Sequence, residues 1–165
     1  MDTLKAPYDS RTVGNSFLDI ALQDGAALTP MKLLKLVYIA HGWYLGIMGK
    51  PLISDNVEAW KFGPVIPKLY HEIKRFGARP ISDYYTVVNF DELQEEIPVV
   101  DKETAKFLEL IWRRYGQFDG QELSAMTHQE NTPWAKYFKS SMRHIVIPND
   151  AIKEYYAALW GKGES

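Results

Sequence analysis

The chain has 165 residues and 19.0 kDa, with 46% hydrophobic, 24% charged and 13% aromatic residues, which excludes disorder as its default state. A net charge of −2 and a pI near 6.1 argue against a phosphate-gripping surface, because nucleic-acid footprints show as clearly basic domains. With no cysteine, disulfides, thiolate catalysis and cysteine-ligated zinc are excluded together.

The opening MDTLKAPYDSRTVGNSF has no apolar core of signal-peptide length, and no stretch approaches the ~18 apolar residues of a membrane span. The expectation is a soluble, cytoplasmic chain folding as a single domain over residues 1–165. That length buries about 70% of the unfolded surface.

Residues 1–9, with Pro7 and little periodicity, read as a loose arm. A helix follows from Ser10 or Thr12, with Val13, Phe17, Ile20 and Ala21 on one face and Gly25 just past its end. Thr29-Pro30 is a helix start, a capping hydroxyl followed by a proline at the first helical position. The helix it opens, MKLLKLVYIAHGWYLGIMG, carries two apolar stripes broken only by Lys32, Lys35 and His41. A helix apolar on nearly all sides is a central, buried one, and His41 on it reads as a hydrogen-bonded core residue.

VEAWKFGPVIP (57–67) then predicts a short extended run ended by Gly63-Pro64, with Pro67 opening a helix that Gly77 closes. TVVNF (86–90) reads as a strand and DELQEE as an acidic turn or short helix. Asp101 caps a helix ending at Gly116, Asp119 with Glu122 starts another, and Thr132-Pro133 repeats the Thr29-Pro30 signal. MRHIVIP predicts a β segment holding His144, and Pro148, Asn149 and Asp150 start a last helix. The fold class is mainly α: one compact helical domain around a central buried helix, with a small β element.

Chemistry is sparse. YHEIKR (70–75) lacks the second histidine of a zinc-protease helix, since position 75 is Arg75. His71 and Glu72 then read as a surface pair. In LSAMTHQENTPW (123–134), Thr127, His128 and Glu130 collect at a helix–helix corner. One reading makes His128 and Glu130 a hydrolase acid/base or ligand pair. The favoured one has these residues capping and tying the corner, with Trp134 packed beneath. There is no nucleophile elbow and no phosphate-binding glycine loop, so the residues point to no catalytic centre, no metal and no cofactor. The five tryptophans and ten tyrosines are read first as core. Trp60 and Phe62 are expected to plug a gap beside the central helix. Aromatics are also the residues of binding hot spots, so a partner surface at Trp60, Lys61, Phe62, Tyr70 and His71 stands as the functional alternative.

Taken in order, MKLLKLVYIAHGWYLGIMGKPL, VEAWKFGPVIPKLYHEIKRFG and LSAMTHQENTPW resemble the Panacea domain, the family of SocA-type antitoxins and phage-associated GepA-like proteins. The match extends over residues 31–134 and departs from the family pattern by inserted polar residues between Glu130 and Pro133. The resemblance implies a helical, non-enzymatic antitoxin that binds its cognate toxin directly, and in SocA-type cases an adaptor delivering the toxin to a ClpXP-type protease. A DNA-binding regulator is a weaker alternative that the near-neutral charge and the lack of a Lys/Arg-dense helix disfavour, and no membrane partner is expected. The resemblance makes Gly63, Pro64, Pro67, Thr127, His128, Glu130 and Trp134 fixed motif positions. A hydrolase at the His128/Glu130 corner and a phage-associated binding module without a toxin are the alternatives.

Overall fold

A computed structural model describes residues 5–163. Its axis is α2, Pro30–Met48. Thr29 accepts from the Lys32 amide and Pro30 takes the first helical position, as the sequence predicts. At the far end Gly49 turns the chain out with φ 72°, a left-handed conformation that glycine adopts without the steric penalty of a side chain. Leu36, Val37 and Ala40 are wholly inaccessible. Because α2 is apolar on every side, one neighbour cannot cover it. It is packed by α1 (Ser10–Gln23), α3 (Pro67–Ile73), α4 (Lys102–Tyr115), α5 (Gly120–Thr127) and α7 (Asn149–Gly161).

The α2–α7 contact is the closest of these. Gly46 faces Tyr156 and Ala157 so tightly that a methyl group there would lie 2.8 Å from the Tyr156 Cβ and the Ala157 amide nitrogen. Tyr156 sits over Gly42 and meets the rings of Tyr38 and Trp43 edge-on, with centroids 6.4 and 5.2 Å away. Nearby, His41 is fully buried. Its Nδ1 accepts from the amides of Leu52 and Ile53 at 3.3 and 3.4 Å, so Nε2 carries the proton and donates to Asn149 Oδ1 at 3.0 Å. The expectation of a hydrogen-bonded core histidine holds. Burial pushes its pKa down to about 4, against the smaller raising effects of Asn149 and Asp55.

The helices keep their sequence-level caps: Asp101 accepts from Thr104 N, Asp119 from Glu122 N and Thr132 from Ala135 N, the last opening the short α6 (Pro133–Tyr137). Three expectations change. Residues 1–4 of the supposed arm lie outside the described residues, but Tyr8 is buried. Its amide donates to Leu52 O and its carbonyl accepts from Ser54 N, both at 2.8 Å. A tyrosine able to bury its ring outweighs the irregular polar pattern around it. The stretch 57–67 does not end at Gly63. β1 (Val57–Trp60) turns at Lys61-Phe62 and returns as β2 (Gly63–Val65), with Trp60 opposite Gly63. Pro64 is tolerated because β2 is an edge strand of the antiparallel sheet β2-β1-β5, where β5 is Val146–Ile147. The acidic run after β3 (Val87–Asn89) also turns back, as β4 (Gln94–Glu96). Its side chains are all exposed, so no apolar alternation marks the strand. The fold is mainly α with a small β element, as expected.

Two predictions follow from the packing of α2. Gly46→Ala should destabilise the protein by about 1–3 kcal/mol through overpacking, read from the denaturant midpoint; a loss below about 0.5 kcal/mol would contradict the close approach of α7. For His41, a folded pKa below the ordinary value means the unfolded chain binds the proton first. The stability present above pH 6.5 is therefore lost as the pH falls to about 4. The loss amounts to roughly 3 kcal/mol at most. His41→Gln cannot take up that proton, so its stability deficit should narrow over this window. A deficit independent of pH would refute the assignment.

Candidate functional site

The β1–β2 hairpin is fastened by three side chains, each reaching an alternate carbonyl along it. Trp134 Nε1 donates to Trp60 O at 2.6 Å, Ser124 Oγ to Phe62 O at 2.8 Å, and Lys35 Nζ to Pro64 O at 2.8 Å. The donors come from α6, α5 and α2, so the hairpin is tied to the central helix and to both helices of the 123–134 corner. Gly63 occupies the middle of this arrangement with φ 119°. A Cβ there would lie 2.8 Å from Lys35 Nζ and 3.6 Å from both His128 Cβ and Thr127 Oγ1. Glycine is required by the backbone angle, and a side chain there would also displace the Lys35 ammonium.

Lys35 is the buried cation of this junction. It is 4% exposed and makes no salt bridge among the described residues. Burial alone pushes its pKa down to about 8, because desolvation disfavours the charged form. The ammonium is a strong donor held against a peptide carbonyl, with no carboxylate among the described residues to balance it. Aromatic rings continue outward from there. His128 Nδ1 donates to Ser124 O, and the His128 ring meets Trp134 edge-on at 5.3 Å. Trp134 stacks on Phe138 at 4.7 Å. On the other side Trp60 meets Tyr70 at 5.2 Å, and Tyr70 meets His71 at 5.5 Å.

Most of the flagged positions are thus one structure. Trp60, Gly63, Pro64, Thr127, His128 and Trp134 meet at the junction, Tyr70 joins through Trp60, and Pro67 starts α3 beside it. Lys61 and Phe62 form the exposed turn, with Lys61 Nζ 5.4 Å from the Phe62 ring centroid. Phe62 is 66% exposed and fills no gap, which corrects the reading of it as a plug; Trp60 is half-buried. The turn residue Phe62 points away because its carbonyl, not its ring, is drawn inward by Ser124. His71 is exposed on α3.

Glu130 is exposed at the corner, and among the described residues no hydrogen bond or ion pair joins it to His128. Among the described residues no group of three or more histidine, aspartate or glutamate side chains could hold a metal ion. No helix among them is long and apolar enough to cross a membrane. His144, in sequence remote from any carboxylate, has Nδ1 2.9 Å from Glu58 Oε1 because β5 pairs with β1.

Sequence reasoning missed Lys35 and Ser124 as hairpin ties. The available signal for Lys35 was its place on an otherwise apolar helix. Beside the junction, a groove of about 710 Å³ runs between β1 and the chain after α6, lined by Trp60, Lys61, Phe138, Met142, Arg143 and His144 among others.

The Antitoxin SocA-like, Panacea domain model matches residues 33–135, a span that includes Lys35, the hairpin and the corner. The chain belongs to this family. Antitoxin SocA of Caulobacter vibrioides (strain NA1000 / CB15N) is 32% identical over 130 residues, covering 76% of this chain and 68% of that protein. No solved structure matches the chain. The matched span contains Lys35, Ser124 and Trp134, the three side chains that dock the hairpin on α2 and on the α5–α6 corner.

For Lys35 the folded pKa of about 8 lies below the ordinary 10.5. The unfolded chain holds the proton longer, so stability rises as the pH goes from about 8 to 10.5. Lys35→Met removes this contribution while leaving the tyrosines in place. The stability of the wild type relative to the variant should climb by up to roughly 3 kcal/mol across that window. A constant difference would show that Lys35 is not charged and buried at neutral pH.

Proposed function

We propose that this chain is the antitoxin of a toxin–antitoxin pair and neutralises its cognate toxin by direct binding, without catalysis, in the cytoplasm. Membership of the SocA-like family and identity to a curated antitoxin support the antitoxin role. The observation that carries the docking surface is the hairpin. Its carbonyls at Trp60, Phe62 and Pro64 are bonded to side chains of the helices, while its turn presents Phe62 and Lys61 outward beside half-buried Trp60 and Tyr70 and exposed His71. A pinned backbone displaying an exposed aromatic loses little freedom on binding, so more of the contact appears as affinity. The non-catalytic reading is supported by His128, whose ring is engaged with Ser124 O and Trp134 and not with Glu130. The family resemblance adds delivery of the toxin to a ClpXP-type protease as a second activity of the same complex. It is tested by the toxin's half-life with and without this chain in a reconstituted degradation assay.

The binding reading is tested by co-expressing the tagged chain with the product of its neighbouring gene and sizing the eluate. A stoichiometric complex, with a neighbour toxic when expressed alone, is the expected result. An unaccompanied chain and a harmless neighbour would overturn the reading. Within such a complex, Phe62→Ala with His71→Ala should weaken binding at least tenfold, about 1.4 kcal/mol, with an unchanged melting temperature. Full affinity in that double variant would place the interface elsewhere.

A further inference from the structure

The β3–β4 hairpin projects chemistry that the rest of the molecule does not use. Its tip, Phe90 to Leu93, carries two large apolar side chains that are 81% and 83% exposed. Asp91, Glu92, Glu95 and Glu96 surround them, and residues 86–98 hold no lysine or arginine. The tip is a formed structure. Asn89 Oδ1 accepts from the amides of Asp91 and Glu92 at 3.0 and 3.3 Å, and Asn89 Nδ2 donates to Glu96 Oε1 at 2.9 Å. Leu93 takes φ 52°.

The groove beside β1 has the opposite character. It is lined by Trp60, Phe138 and the half-exposed Met142 together with the cations Lys61 and Arg143, while His144 there faces Glu58 Oε1 at 2.9 Å. Each surface supplies what the other lacks. The hairpin has bulky apolar tips without a pocket and negative charge that makes no ion pair among the described residues. The groove has apolar lining that nothing among the described residues fills, and the two cations Lys61 and Arg143. At four-fifths exposure, Phe90 and Leu93 are not seated in the groove of their own chain.

We infer that the groove of one copy receives the acidic, apolar-tipped β3–β4 hairpin of a second copy, so that the chain self-associates through a hairpin-to-groove contact. The two surfaces differ, and charge complementarity sets their orientation and makes the contact salt-sensitive. Met142 suits such a site, since an unbranched thioether adapts to a seated ring. The inference does not rest on the toxin-binding reading. It does touch it, because Trp60 and Lys61 belong to both surfaces: a toxin on the turn competes with the second copy.

The test is sedimentation equilibrium of the full wild-type chain across a concentration series at 50 and 500 mM salt. A weight-average mass rising above 19.0 kDa with concentration at low salt, and at least a tenfold weaker association at high salt, is the expected result. Phe90→Ser with Leu93→Ser, and separately Lys61→Glu with Arg143→Glu, should each return the chain to a monomer. All four positions are exposed, and circular dichroism verifies that both variants stay folded. A mixture of the two variants retains one intact hairpin and one intact groove, and should recover association. A wild type that stays monomeric at several hundred micromolar overturns the inference. So does association that persists in both variants, which would place the contact on another face.

Discussion

The burial of α2 on all sides is the constraint from which the rest of the molecule follows. A helix with only Lys32, Lys35 and His41 breaking its apolar surface cannot end up against a single neighbour. Leaving any stripe in water costs roughly 25 cal/mol for each Å² of apolar surface. Five further helices and a small sheet are gathered around it, and the closeness of α7 is permitted only by the missing side chains of Gly42 and Gly46. The polar residues on α2 must then find partners inside the shell they attract. His41 is met by backbone amides and Asn149, Lys32 by the Gly116 carbonyl, and Lys35 by the Pro64 carbonyl.

Lys35 connects that constraint to the proposed docking surface. A buried ammonium with a carbonyl partner and no carboxylate is an expensive way to hold a strand. A neutral donor would cost less in desolvation and would also bind less strongly, since hydrogen bonds from charged donors contribute about 1.5–3 kcal/mol against about 1 for neutral ones. Together with Ser124 and Trp134, it turns a two-residue turn, a motif that is at best marginal alone, into a fixed projection. The exposed face of that projection is where an aromatic and a cation stand together at Phe62 and Lys61. The mainly helical body is, in this account, a mount for a small piece of sheet.

Much of this was legible from sequence because it is written in short-range signals. The Thr29-Pro30 and Thr132-Pro133 starts, the Asp101 and Asp119 caps and the apolar stripes all depend on residues within one or two turns of each other. The hairpin at Lys61-Phe62 was misread because prolines and glycine near a strand usually end it, whereas here an edge position and a positive φ let Gly63 and Pro64 continue it. β4 escaped notice because every one of its side chains faces water. Tyr8 was lost to its irregular surroundings, since its partners Leu52 and Ser54 are far along the chain. The same limit hid the ties of the site itself. Lys35 and Pro64, Ser124 and Phe62, and Trp134 and Trp60 are separated by 29, 62 and 74 residues. The sequence blocks run through these residues without showing the contacts between them.

The central claim is that side-chain donors from three helices hold the β1–β2 hairpin as a rigid unit. Amide hydrogen exchange over residues 57–65, in the wild type and in Ser124→Ala, tests it most directly. Wild-type protection should stand well above that of an unstructured loop. Removing the one hydroxyl should accelerate exchange across the hairpin several-fold, with the amides of α2 unchanged. A hairpin that exchanges at loop rates in the wild type, or one indifferent to the loss of Ser124 Oγ, would contradict the account.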